Sequence, residues 1–304
     1  MKSCEPSLPA LVAAELAEPV NPLVELMAKA LADQYPGAAR AVLFYGSCLR
    51  QQQLEGLMLD FYLIVSDYRS AYRKRWLAAA NRLIPPNVFP FAHEGLAAKY
   101  AVLSEADFAR LNSMKADNVS VWARFAQPSR LVWVAEEAAR SSVIEAVSQA
   151  APTLFRLAAP AVRSSVGEGL AYWRTGFDLT YNAELRAERK GRSASIIDAD
   201  EERYRRFTTP VQKAANLAPE QSYTESEIAA NARLWRRLQR RGKRLTLLRL
   251  AKASLTFAGG IDYLAWKINR HAGTDIRIKP WQRRWPLLGA VSLLPRLWSR
   301  GAVR

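Results

Sequence analysis

The chain has 304 residues, half of them hydrophobic, which is enough to bury a sizeable core and excludes wholesale disorder. Two cysteines, Cys4 and Cys48, exclude a disulfide framework, and with only His93 and His271 beside them a zinc site or a Ser-His-Asp triad starts from poor material. The formal charge of +16 sits at one end: residues 233–304 hold eighteen lysines and arginines against Asp262 and Asp275, while residues 1–232 sum to zero.

The N-terminal stretch carries Glu5, Glu15 and Glu18 and lacks the charged, apolar, small-residue order of a secretory signal. The longest apolar run, PLLGAVSLLP, falls well short of the roughly 18 to 20 residues of a spanning helix. The expected setting is a reducing cytoplasm.

In chain order, Leu8 to about Gln34 alternates apolar and polar residues at helical spacing, interrupted by Pro19 and Pro22. AVLFYGS then reads as a buried strand ending in a tight turn at Gly46 and Ser47. LMLDFYLIVSD predicts a second strand, with Asp60 inside an apolar run. A helical stretch near Tyr68 to Leu83 leads to the turn-rich IPPNVFPF and a third strand, AAKYAVLS, with Lys99 at its start. The pattern predicts an α/β domain over residues 1–135.

Residues 136–229 read as a second, mostly helical module, with helical stretches around 141–149, 163–189 and 201–215. From 230 to 304 the chain is basic and aromatic, with five of the nine tryptophans and with Leu234, Leu238, Leu245 and Leu248 set among arginines. This segment is expected to be an amphipathic tail that seeks a polyanion. Interfacial tryptophans and leucines favour an anionic membrane over nucleic acid.

A glycine-serine turn after one strand and an aspartate on the next is a layout that holds a nucleoside triphosphate. Gly46 lets the backbone approach phosphate oxygens, the Ser47 hydroxyl donates to them, and Asp60 binds Mg²⁺. Gly-Ser alone fits any tight turn, but a carboxylate inside a sheet needs a partner, a proton or a metal. Such sites ordinarily carry two carboxylates two residues apart, and here the second position is Tyr62. Asp67 lies roughly 23 Å further along an extended strand and points to the other face.

FYGSCLRQQ, LDFYLIVSD, IPPNVF and KYAVLS, in this order, resemble the motifs of the mitochondrial-type phosphatidate cytidylyltransferases, the translocator assembly and maintenance family. The likeness extends through NVSVWARFAQPSRLVWV and more loosely YWRTGFDLTYNAELRAERK, covering roughly residues 41 to 210. It implies a nucleotidyltransferase-like domain, a winged-helix-like helical domain and a membrane-contacting C-terminal segment. The implied enzyme takes CTP and phosphatidic acid to CDP-diacylglycerol and pyrophosphate with Mg²⁺, peripherally on the inner face of a membrane, the matrix side if mitochondrial, with no nucleic acid partner. Cys48 stands where the family has glycine, and TGFDL displaces Asp178 by one position.

On this reading Asp60 and Lys99 are catalytic, Gly46, Ser47 and Arg130 bind nucleotide, and Asp178, Glu184 and Lys190 are substrate contacts. Lys99 reads equally as a solvent-facing strand-end lysine, and Arg130 as the partner of a neighbouring carboxylate. His93 is expected to be an ordinary loop histidine. Two other functions fit the same residues: a nucleotidyltransferase acting on RNA or a small molecule, and a non-enzymatic membrane-associated scaffold whose metal site has decayed.

Overall fold

The computed structural model describes residues 6–50, 54, 56–162, 169–183, 196–218, 221–256 and 277–284. Its centre is a mixed five-stranded sheet in the order β3-β4-β2-β1-β5. The strands are β1 (Ala39–Tyr45), β2 (Met58–Val65), β3 (Asn87–His93), β4 (Leu96–Ser104) and β5 (Ser129–Val134). β2 and β4 run parallel, and every other pairing is antiparallel.

Alternation along the strands divides the apolar residues between two layers. On one face Val42, Phe44, Leu59, Phe61 and Val102 pack with α2 (Pro22–Asp33) and with Tyr68 and Tyr72 of the α3 (Tyr68–Ala71) region. On the other, Ala41, Leu43, Tyr62, Ile64 and Leu103 pack with α1 (Leu8–Leu16), α5 (Glu105–Asn112), α6 (Trp122–Phe125) and α7 (Glu137–Ser148). α1 and α2 thus cover opposite faces. Pro22 opens α2, where its missing N–H is no loss, and Asn21 caps it by accepting from the Leu23 N–H at 2.9 Å.

The expected third strand is β4, and the supposed turn-rich stretch before it is itself a strand, β3, at the sheet edge. Pro90 is tolerated there because an edge strand pairs on one side only. The helix expected over 68–83 is two helices, α3 and α4 (Arg75–Leu83). Asp67 caps α3, accepting from Arg69 N at 2.7 Å and Ser70 N at 3.1 Å, and takes no part in the candidate site.

The helical module follows as α7, α8 (Ala150–Ala158), α9 (Leu170–Tyr181) and α10 (Glu201–Ala214). It shares one core with the sheet: Phe155, Trp173, Phe177, Tyr204 and Phe207 belong to the same buried cluster as Leu43 and Tyr62. A buried ion pair joins the chain's beginning to this module. Arg203 on α10 donates to Glu15 on α1 through Nε at 2.5 Å and Nη2 at 3.0 Å, and both side chains are about 5% exposed.

The expected boundary at 229/230 falls inside a single helix, α11 (Glu225–Thr256). Its inner ridge is part of the fold. Trp235 and Leu238 are buried in the shared core, Trp235 Nε1 donates to the Leu157 carbonyl at 2.8 Å, and Asn231 Nδ2 donates to the same oxygen at 3.0 Å. At Gly242 a Cβ would lie 2.1 Å from the Ala183 carbonyl oxygen, so only glycine lets the helix pass. Further along, Arg249 donates to the Pro85 carbonyl at 2.8 Å and Lys252 to the carbonyls of Ile84 and Pro86. The reading of residues 230–256 as a detached tail is thereby corrected: two of its large apolar side chains are needed inside the protein. The last described helix, α12 (Pro280–Arg284), is short, and among the described residues no helix is long and apolar enough to cross a membrane.

Candidate functional site

β1 ends at Tyr45, which pairs with Asp60 on β2, and Asp60 is in turn level with Lys99 on the parallel strand β4. Residues in register on neighbouring strands point to the same face, so one row crosses the sheet at this height. Lys99 Nζ lies 2.9 Å from Asp60 Oδ1, with 30% and 22% of the two side chains exposed. The carboxylate is therefore paired, at the rim of the sheet, and still open to solvent.

Gly46 follows directly, at φ +96°, a conformation that glycine adopts without strain. A Cβ there would sit 3.5 Å from Asp60 Oδ2, so the bare backbone faces the carboxylate oxygen that Lys99 does not hold. Ser47 is exposed and opens a 3₁₀ turn, Ser47–Arg50, with Leu49 N donating to Gly46 O at 3.2 Å. Gly46, Asp60 and Lys99 thus meet at one corner, with Ser47 next along the chain and its side chain hydrogen-bonded to Cys48.

Tyr62 explains the single carboxylate. It is 3% exposed and packs between Tyr45 and Phe125, with ring centroids at 5.2 and 5.1 Å, while Phe125 stands edge-on to Phe108 at 4.9 Å. The position where a second acid would stand is the start of the apolar core. Among the described residues no group of three or more acids, histidines or cysteines could cage a metal ion.

Arg130 belongs elsewhere. It is level with Phe44, whose ring lies on the opposite face of the sheet from Tyr45 and Asp60, and it pairs with Glu18 in the segment between α1 and α2. With Pro19, Phe44, Cys48 and Leu54 it lines a cavity of about 50 Å³. The Arg130 pairing with a nearby carboxylate is the outcome seen, and its side chain does not join the Asp60 corner. Cys48 turns to that same far side, 3.6 Å from the Met58 carbonyl, and burial, aided by the charge of Asp60, raises its thiol pKa.

Asp178 is exposed on α9, a helix that packs against α8 and α10. Glu184 and Lys190 lie outside the described residues. His93 ends β3, stacked on Phe91 at 6.1 Å, so it is a strand residue and not a loop one.

The structure adds one residue to the row. Ser129, opposite Tyr45 on β5, is fully buried, and its hydroxyl has no hydrogen-bond partner among the described residues. Only strand pairing reveals it, because nothing in QPSRLV marks the serine. No protein-family model matches the chain, and no curated protein matches it.

Proposed function

We propose that the corner formed by Gly46, Asp60 and Lys99, with Ser47 beside it, binds a nucleoside triphosphate and that the protein is a phosphatidate cytidylyltransferase, with a nucleotidyltransferase-like sheet and a winged-helix-like helical part. One observation carries this reading: a glycine at positive φ lays bare backbone against a part-exposed strand carboxylate whose neighbour is a lysine. The motif order described above supports the lipid substrate.

A single part-exposed carboxylate fits a magnesium ion, which keeps several waters and is held by one or two acids together with substrate phosphates, better than it fits a preformed cage. Asp60 would hold it, and it would supply charge neutralisation on the triphosphate. The chain's own groups do the rest. The Ser47 hydroxyl donates to a phosphate oxygen, and Gly46 admits the phosphate where a side chain would exclude it. The Lys99 ammonium, a flexible point charge, exchanges Asp60 for a phosphate oxygen as substrate arrives.

The phosphatidate phosphomonoester is already anionic near neutral pH, so its oxygen attacks the α-phosphorus without a general base. The new P–O bond forms as the bond to pyrophosphate breaks, and the site contributes positioning and charge. The test is incubation of purified protein with phosphatidate vesicles, Mg²⁺ and each labelled nucleoside triphosphate in turn. CTP-specific, lipid-dependent release of pyrophosphate is expected; release with no lipid acceptor, or none with any nucleotide, overturns the reading.

A second reading rests on the same ion pair: a carboxylate satisfied by Lys99 needs no metal, as in a scaffold without catalysis. Nucleotide binding without turnover, or neither, would favour it.

A further inference from the structure

The rotation of α4 is fixed from inside. Asn81 is fully buried, its Nδ2 donates to the Val102 carbonyl at 2.9 Å and to the Tyr72 hydroxyl at 3.2 Å, and its Oδ1 accepts from the Asn87 N–H. Ala78 is buried on the same side, and the Leu77 carbonyl accepts from Asn87 Nδ2 at 3.0 Å. At about 100° per residue the outward side then carries Arg75, Trp76, Ala79, Arg82 and Leu83, and all five are exposed.

These residues form two parallel rows. Trp76 and Leu83 lie two helical turns apart, about 10.5 Å, and are 45% and 79% exposed. Arg75 and Arg82 keep the same spacing beside them, with the small Ala79 between the rows. Leu83 is the most exposed large apolar side chain among the described residues. A lone surface leucine needs no explanation, but a tryptophan and a leucine in step along a row of cations make an amphipathic surface.

The charge around them is of one sign. Residues 68–93 hold Arg69, Arg73, Lys74, Arg75 and Arg82 and no acid. None of Arg73, Lys74, Arg75 and Arg82 pairs with an acid among the described residues. Arg73, Lys74 and Arg75 crowd the positive end of the α4 dipole, where acids are favoured, and Lys74 at the N-cap supplies no capping oxygen. Phosphates attract such cations wherever they are displayed, so the apolar row decides the partner. Leu83 gains nothing from the sugars and phosphates of a nucleic acid. A protein partner would need a pocket for each of two side chains on a convex ridge, whereas a bilayer yields to any shape and takes tryptophan and leucine where headgroups meet acyl chains.

We propose that α4 is a wedge set into a bilayer that contains acidic phospholipid, with Trp76 and Leu83 at the acyl boundary and Arg73, Lys74, Arg75 and Arg82 among the phosphates. The inference rests on the lipid-substrate reading for its choice of partner. The contact belongs to the sheet domain, outside the C-terminal segment to which the resemblance assigns the membrane. One helical contact leaves a protein free to roll about its axis; a second, on another element, fixes which side of the sheet meets lipid.

The test uses the full chain with Cys4→Ser, an environment-sensitive fluorophore on Ala79→Cys, and no nucleotide. The same fluorophore on Glu145→Cys of α7, which packs on the opposite face of the sheet, is the control. Vesicles of phosphatidylcholine with phosphatidylglycerol, an acidic lipid that is not the proposed substrate, should shift the Ala79→Cys probe to the blue and expose it to quenchers on the acyl chains. The probe at position 145 should not respond. Trp76→Ser with Leu83→Ser should abolish the shift and weaken co-sedimentation about tenfold. Arg75→Gln with Arg82→Gln should weaken acidic-vesicle binding about tenfold or more, since each cation near such a surface contributes on the order of 1 kcal/mol. All four side chains are exposed, so both variants should keep the parent's Tm, and the single substitutions, read by the same probe, replace a double variant that does not fold.

A probe at position 79 that does not respond while the protein co-sediments overturns the proposal, and so does a protein that leaves acidic vesicles unbound. Single-stranded RNA that shifts the probe without lipid and displaces the vesicles would make α4 a nucleic-acid surface and overturns it too. Docking is read without turnover, so a protein that inserts α4 and transfers no cytidylyl group would sink the enzyme reading and leave this one standing.

Discussion

Lys99 and Asp60 stand level on two parallel strands, their charges 2.9 Å apart, and each is the other's partner at the open rim of the sheet. A part-exposed pair of this kind contributes well under about 1 kcal/mol to stability. Its removal is therefore a test of chemistry with little effect on folding. Asp60→Asn should leave the thermal transition within a few degrees of the parent and abolish nucleotidyl transfer. Residual activity above about a tenth of the parent, with unchanged Mg²⁺ dependence, would remove Asp60 from the mechanism.

Ser47→Ala should act more mildly, because one hydroxyl donor is lost among the several groups proposed to meet the triphosphate. The expected result is a KM for CTP raised by about three- to tenfold, with kcat little changed. A KM equal to the parent's would make Ser47 a turn residue only.

Lys252 is 8% exposed, and burial, with a smaller push from the Arg249 charge, lowers its ammonium pKa to about 7. In the unfolded chain a lysine titrates near 10.4. Below pH 7 the group is protonated in both states and contributes no pH dependence. Between about 7 and 10.4 the unfolded chain binds one more proton than the folded one, so this group makes stability rise with pH there. Urea unfolding at intervals from pH 7 to 9.5 should show that rise, and Lys252→Met should flatten it. Equal slopes in the two proteins would show that Lys252 titrates normally.

Gly242→Ala sets two effects against each other. Alanine favours a helix by about 1 kcal/mol over glycine, but its Cβ would be 2.1 Å from the Ala183 backbone oxygen, which cannot yield as a flexible side chain would. Overpacking of that kind costs about 1 to 3 kcal/mol, so a net loss of stability is expected, read as a lowered denaturant midpoint. Truncation before Arg233 should do far more harm, because it strips Trp235 and Leu238 from the core. A truncated chain with a parent-like Tm would return α11 to the status of an appendage.

The sequence carried the middle of the sheet and the corner of the site clearly, and the reasons are local. β1 and β2 are apolar runs broken only at their ends, and an aspartate inside such a run is conspicuous. β3 was hidden by Pro85, Pro86 and Pro90, because the permission for proline comes from its edge position, which depends on the other strands. The nucleotide-binding reading of Arg130 rests on the resemblance of QPSRLV, with pairing to a carboxylate as its alternative, and only the pairing of Phe44 with Arg130 puts it on the far face. In α11 the arginines dominated the composition and masked the inward ridge of Asn231, Trp235, Leu238 and Gly242, whose spacing of four, three and four was present all along. That spacing marks a buried helix face, but what covers it comes from residues such as Trp122 and Leu157, more than seventy positions earlier.

The pairing of Glu15 with Arg203 also imposes an order in time. The two residues are 188 positions apart, and a ribosome adds about 5 to 20 residues per second, so roughly 10 to 40 seconds separate their synthesis. Throughout that interval α1 has its core-facing leucines and a carboxylate destined for burial, but not the guanidinium that makes burial of the carboxylate tolerable. The nascent chain can pair β1, β2 and β4 early, yet it cannot seal the face under α1 until α10 has left the exit tunnel. Completion of the core is thus tied to the last third of translation, and a chain stalled before Arg203 is left with an open hydrophobic face, a natural substrate for chaperones and proteases.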